Sequence, residues 1–297
     1  MAHDHGHSSG EISGRRLGLA MALNFLITAV EVAGGLASGS LSLLSDALHN
    51  LSDGISLAVS WFALRLARRA KTHRFTFGLK RAQILAAVLN ASVLIAICLY
   101  LFKEAYTRFF HPQPVGTGVM IAVATVGLVA NIAGTLLLRE GARGNLNIRS
   151  SYLHLLSDVF SSVAVIAGGG AMALWGAWWV DPLLTVGIAL YVLKESVDIV
   201  REATQVLLLC VPGRIDLAQI QRALEALPGV RNLHHVHLWC VDDSHTHFEA
   251  HLEVDDMPVS ATGPLVDQVE HLLHDSYDIN HVTLQFEVDR CASKALV

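Results

Sequence analysis

The chain has 297 residues, of which 53% are hydrophobic and only 16% charged, with a formal net charge of −5. Soluble globular domains average about 25% charged residues, so the deficit excludes a wholly water-soluble protein. No basic run interleaved with aromatics occurs, which excludes nucleic acid as a partner.

In chain order, residues 1–14 read as a hydrophilic cytosolic tail with His3, His5 and His7 in HDHGH. It is either a weak metal-capturing segment or a floppy extension. Arg15 and Arg16 precede an apolar run too long for a cleaved signal peptide, so it reads as a retained first span. Apolar stretches long enough to cross a bilayer core of about 30 Å then recur, predicting six spans at 17–37, 41–66, 82–109, 116–138, 148–175 and 180–206. The connection after the second span holds Arg68, Arg69, Lys71, Arg74, Lys80 and Arg81, and the one after the fourth holds Arg139, Arg143 and Arg149. The remaining turns lack Lys and Arg, so by the positive-inside rule both termini are cytosolic. Trp175, Trp178 and Trp179 suit an outer interfacial anchor. Residues 15–209 are thus expected to form the membrane domain and 210–297 a polar cytosolic domain.

That second domain reads helix, strand, strand, helix, strand. Helices are expected over Asp216–Leu227 and after Pro264, and strands over Leu233–Asp242, Thr246–Asp255 and His281–Asp289. The four cysteines, Cys98, Cys210, Cys240 and Cys291, lie far apart without CxxC spacing, which fits thiols in a reducing compartment or inert burial rather than a disulfide framework.

The most informative pattern is an internal echo. His49-Asn-Leu-Ser-Asp53 in the second span and His154-Leu-Leu-Ser-Asp158 in the fifth share the form H-x-L-S-D, 105 residues apart. A spacing of four stacks each His over its Asp on one helix face. Two such helices packed together would offer two imidazoles and two carboxylates, a donor set suited to Zn²⁺ and also to Co²⁺ or Cd²⁺. An Asp at mid-bilayer costs about 2.5–3.5 kcal/mol on insertion scales, so a matched pair favours a metal pathway over structural glue. Counting from Arg65 and Arg149, Asp53 and Asp158 lie about 18 Å and about 13.5 Å from the cytosolic side. His154 is shallower unless the fifth helix starts before Arg149. Asp46 is either an acceptor behind the ligands or exposed to outer water, and Asn24, Glu31, Asn90 and Asn131 read as interhelical hydrogen-bonding groups.

Six spans, HNLSD and HLLSD, the segment FTFGLKRAQILAAVLNA, and the tail HHVHLWCV…HVTLQFE together resemble the cation diffusion facilitator family, closest to its bacterial zinc, cobalt and cadmium efflux branch. The resemblance implies a homodimer in the bacterial inner membrane, a ferredoxin-like metallochaperone-type α+β domain after the six-helix membrane domain, and metal/proton antiport. It places the transport ligands at His49, Asp53, His154 and Asp158, where His at the first position favours zinc. It places a cytosolic metal site at His251 and Glu287, both on the polar faces of their strands, with His234 as a further ligand that adjacent His235 could replace through a one-residue register shift. His281 is a further candidate. The family's loop site after the second span retains only His73 here, so that site is expected to be missing.

The sequence therefore predicts a Zn²⁺/H⁺ antiporter working across a lipid bilayer. Its rival is a membrane-bound metal sensor that signals without transport. An intramembrane zinc protease is excluded because no HExxH occurs.

Overall fold

The computed structural model describes residues 7–67, 72–139, 146–242 and 245–297. The side chains of residues 7–21, 23, 53, 56–65, 67, 146–151 and 154 lie outside that description. Among the described residues six long helices come first: α1 (His7–Ser38), α2 (Leu41–Ala67), α3 (Ala82–Phe110), α4 (Thr117–Leu138), α5 (Leu146–Trp175) and α6 (Val180–Leu207). They fall on the six expected spans. α1 starts earlier, within the supposed tail at His7, while His3 and His5 lie outside the described residues. α5 begins at Leu146, before Arg149, which removes the apparent shallowness of His154. By length and apolarity, α3, α4 and the Leu155–Trp175 part of α5 can cross a membrane. α6 carries Lys194, Glu195, Asp198, Arg201 and Glu202 in its second half.

The chain divides into two compact units, residues 1–60 with 89–199, and residues 61–88 with 200–297. In the first, α4 packs against α1 and α5. Leu43, Met120, Ala124, Val165 and Met172 form one buried cluster. Small residues let these helices approach: a Cβ at Gly34 would lie 2.6 Å from Val123 Cγ2, and one at Gly169 would lie 2.7 Å from Ile121 Cγ1. The start of α2 is fixed from α6. The buried carboxylate of Asp181 accepts hydrogen bonds from Ser40 Oγ (2.6 Å), Leu41 N (2.9 Å), Ser42 N (3.1 Å) and Ser42 Oγ (2.7 Å). A helix begins with four N–H groups lacking intrahelical acceptors and a partial positive charge, so a carboxylate borrowed from a neighbouring helix holds α2, and with it His49, in place.

The second unit carries α7 (Leu217–Glu225), β1 (Val230–Asp242), β2 (His245–Val254), a 3₁₀ turn at Val259–Ala261, α8 (Gly263–Tyr277) and β3 (His281–Glu287), the expected order. The sheet runs β1-β2-β3, with β1 antiparallel and β3 parallel to β2. Among the described residues it has three strands, where a ferredoxin-like βαββαβ unit has four. Asp216 caps α7 by accepting from Ala218 N at 2.9 Å. Ile220 and Leu224 of α7 and Leu265, Val269 and Leu273 of α8 bury one sheet face made by Leu233, Val236, Leu238, Phe248, Ala250 and Leu252.

The strands' alternation sends His234, His251, Glu253 and Glu287 to the opposite face, where His234 pairs with His251 and Glu253 with Glu287. This face is not bare. The C-terminal segment returns over it: His235 N and Val236 N donate to Ala295 O (3.1 Å) and Leu296 O (2.7 Å), and Lys294 Nζ lies 2.6 Å from Glu253 Oε2. β1 is irregular at the same place, gaining one residue on β2 between His234 and His237, with His235 at φ 51°. The bulge leaves Leu233 and His234 both buried while His235 is exposed.

Candidate metal centres

In the first unit, α2 and α5 bring the two H-x-L-S-D copies together. His49 Nε2 lies 3.8 Å from Asp158 Oδ1, and both side chains are buried. Asp53 and His154 belong to the same two helices one turn along, and their side chains lie outside the described residues. Tyr191 meets the His49 ring edge-on, with centroids 5.5 Å apart. Asp46 is buried rather than open to water and accepts a hydrogen bond from Ser161 Oγ, which settles its two readings in favour of an inward role. Glu31 accepts from Asn50 Nδ2 at 2.8 Å, a link between α1 and α2 of the expected kind. An imidazole and a carboxylate apposed at this distance can share one ion, since ligands about 2.0–2.1 Å from a tetrahedral zinc sit about 3.3 Å from each other.

In the second unit, His234, His251, Glu287 and Cys291 form a compact four-donor cluster, each offering one ligand atom and all these atoms within 4.8 Å of one another. Glu287 Oε1 lies 2.9 Å from His251 Nδ1, Glu287 Oε2 lies 3.4 Å from His234 Nε2, and Cys291 Sγ lies 3.6 Å from His251 Nδ1. These separations are close to the edges of a zinc tetrahedron with N, O and S ligands, about 3.3–3.6 Å for bonds of about 2.0–2.3 Å. His234 is oriented from behind. Its Nδ1 lies 2.9 Å from Asn232 Oδ1, an acceptor, so that nitrogen carries the proton and Nε2 presents a lone pair to the cluster. Nε2 and Glu287 Oε2 are then two buried acceptors facing each other without a hydrogen-bond donor. Buried polar atoms are rarely left so, and a cation between them satisfies both.

The electrostatics fit the same reading. Burial pushes the Glu287 carboxyl up, but hydrogen bonds with Cys291 and Gln285 and the nearby His251 and His234 outweigh it, leaving the group below its ordinary range. The Cys291 thiol is pushed up by its hydrogen bond to Glu287, by burial and by that carboxylate's charge.

Of the residues expected here, His234, His251 and Glu287 come together. Glu287 lies on the expected polar face but is buried there, accepting from Gln285 Nε2 at 2.7 Å. His281 stands apart, at the other end of β3 about 20 Å along a strand, with its ring 4.3 Å from that of His247. His235 is an exposed neighbour, its ring 4.6 Å from that of His251. Cys291 was missed. Its signal in the sequence is a thiol four residues beyond Glu287, but only the path of the C-terminal segment brings it to the cluster. His73 lies exposed in the loop before α3.

Long apolar helices carrying one His/carboxylate centre, followed by a small domain carrying another, define a membrane protein that handles metal ions. The chain belongs to the cation efflux family: the cation efflux transmembrane domain matches residues 17–208 and the cation efflux protein cytoplasmic domain matches residues 212–289. It is 36% identical over 289 residues to the metal cation efflux system protein CzcD of Cupriavidus metallidurans, covering 97% of this chain and 90% of that protein. It is 38% identical over 298 residues to the zinc transporter ZitB of Escherichia coli, covering 98% and 94%. Over 290 residues it is 36% identical to a cadmium, cobalt and zinc/H⁺-K⁺ antiporter of Bacillus subtilis, covering 96% and 92%. A solved metal-bound C-terminal domain of the Cupriavidus CzcD transporter is 30% identical and covers 25% of this chain and 99% of that one, with a TM-score of 0.23. A transmembrane helical domain is therefore followed by a cytoplasmic domain containing a small sheet, in a family of metal cation efflux transporters.

Proposed function

We propose that this chain is a Zn²⁺/H⁺ antiporter that exports zinc from the cytosol. In this reading α1–α6 all span the membrane with both termini cytosolic, and the protein works as a homodimer. His49, Asp53, His154 and Asp158 hold the travelling ion. The observation that carries the reading is the 3.8 Å apposition of His49 and Asp158 from two copies of one motif on separate helices. Relatives named as a zinc transporter and as a cadmium, cobalt and zinc/H⁺-K⁺ antiporter support zinc as cargo, with Co²⁺ and Cd²⁺ as competitors and protons as counter-ions.

Metal binding needs neutral imidazole and ionised carboxylate, so protons compete with metal for the same atoms. Histidine's ordinary pKa near 6.5 puts that competition near physiological pH. Moving two charges outward against an inside-negative 100 mV costs about 4.6 kcal/mol, and each returning proton offsets about 2.3 kcal/mol.

His234, His251, Glu287 and Cys291 hold a second, regulatory ion in the ferredoxin-like cytosolic domain. That domain lies in water, so its ion is off the membrane-crossing path and acts by drawing domains together.

The test is purified protein in liposomes containing a pH-sensitive dye. Zinc added on the side of the C-terminal domain should cross and drive proton movement the other way. Zinc flux without proton movement would refute antiport, and no flux for any of the three metals would leave the sensor reading.

A further inference from the structure

Glu31 is fully buried in α1, and the hydrogen bond from Asn50 uses only one of its oxygens. The other, Oε1, has no hydrogen-bond partner. The place it occupies faces α4: a Cβ at Gly127 would overlap Oε1, so a larger residue there would push the carboxyl end aside. One turn further along α4, Asn131 is buried with both amide atoms unpartnered. The charged and titratable groups acting on Glu31 are Asp46 of α2 and Asp158 of α5, with His49 beside Asn50 on α2, and none is a fixed cation. A purely structural tie to Asn50 would be served equally by glutamine. It does not account for a second buried oxygen aimed at a glycine gap beside the transport ligands. Ionisable groups inside membrane helices face functional cavities far more often than they serve as glue.

We propose that Glu31 is a proton site of this transporter, a carboxyl outside the metal's ligand set that gives up its proton as a divalent ion arrives near His49 and Asp158 and regains it as the ion leaves. The proposal rests on the antiport reading. The step balances without a further reactant: one O–H bond on Glu31 breaks on metal loading, the proton leaves through water, and an outer proton restores it on unloading. Coupling is electrostatic and reciprocal, so the proton at Glu31 weakens metal binding by the factor by which metal weakens proton binding.

The experiment is Glu31→Gln in proteoliposomes, with the membrane potential clamped at zero. Glutamine keeps the acceptor for Asn50 and removes only the titratable proton. Zinc/zinc exchange without a pH gradient should persist, and protons released per zinc should fall by about one. Steady-state zinc accumulation under a one-unit pH gradient should fall about tenfold, the factor one coupled proton supplies. Gly127→Ala, which crowds Oε1 without changing any charge, should show a weaker loss of the same kind. Unchanged proton release and accumulation in Glu31→Gln would overturn the proposal. Loss of exchange together with accumulation would also overturn it, by showing a structural role. Wild-type protein moving zinc with no protons at all would overturn the antiport reading itself.

Discussion

The two candidate centres are built in opposite ways. In the membrane unit the ligands come from two copies of a five-residue motif on two helices, and α2 and α5 bring His49 and Asp158 together. In the cytoplasmic unit each ligand comes from a different place: a bulged strand supplies His234, a regular one His251, the end of β3 Glu287, and the returning C-terminal segment Cys291. The helical centre is nitrogen and oxygen only, while the sheet centre adds a soft thiolate. A site made of borderline and hard donors is suited to capture and release, and one with a half-buried soft sulfur donor to hold its ion. On the proposed function, the difference separates a passage from a regulatory site within one chain.

The largest expected effect breaks the comparison on the helical side. Asp158→Ala should reduce zinc flux by more than the about 10–100-fold that residues merely supporting a ligand are worth, with the protein still folded and inserted. Uptake of radioactive zinc by inside-out vesicles checks this. Next, His49→Asp exchanges a nitrogen donor for a hard oxygen and should shift competition by about tenfold toward Cd²⁺ or Mn²⁺. An unchanged zinc-to-cadmium ratio in competition assays would remove donor identity as the basis of selectivity.

On the sheet side, Cys291→Ser keeps an oxygen donor in place of the sulfur and should weaken zinc binding by about tenfold, the low end of what even a supporting residue is worth, and cadmium binding more. With the thiol pushed up by Glu287 and by burial, metal must displace its proton. Affinity of the wild-type site should therefore rise as pH rises through neutrality, and the serine variant should show a shallower slope in calorimetry. The smallest effect belongs to His281→Ala, which should alter zinc binding by less than about twofold, because that ring packs on His247 at the far end of β3.

These contrasts also explain what could be read from the sequence. Helical spacing is fixed at 3.6 residues per turn, so H-x-L-S-D declared its own geometry, and all six helices lie where apolar length placed them. The sheet centre was legible only through resemblance. Strand alternation puts His251 and Glu287 on one face, but alternation cannot tell a solvated face from one covered by a returning segment. A period of two does not show that Glu287, on that polar face, is buried with Cys291 beside it. The bulge at His235 is likewise invisible to a period of two, which is why His234 and His235 looked interchangeable although only His234 turns into the cluster. His281 shares β3 with Glu287, but the six residue steps from one to the other amount to about 20 Å of strand.

The central claim is that metal crosses at the helical centre while the sheet centre tunes the crossing. Zinc flux across a full concentration range in proteoliposomes of the His251→Ala/Glu287→Ala double variant tests it most directly. The account predicts a maximal rate like that of the wild type, with the half-saturating zinc concentration raised by about tenfold. Absence of flux at every zinc concentration, in a variant that is folded and inserted, would contradict it.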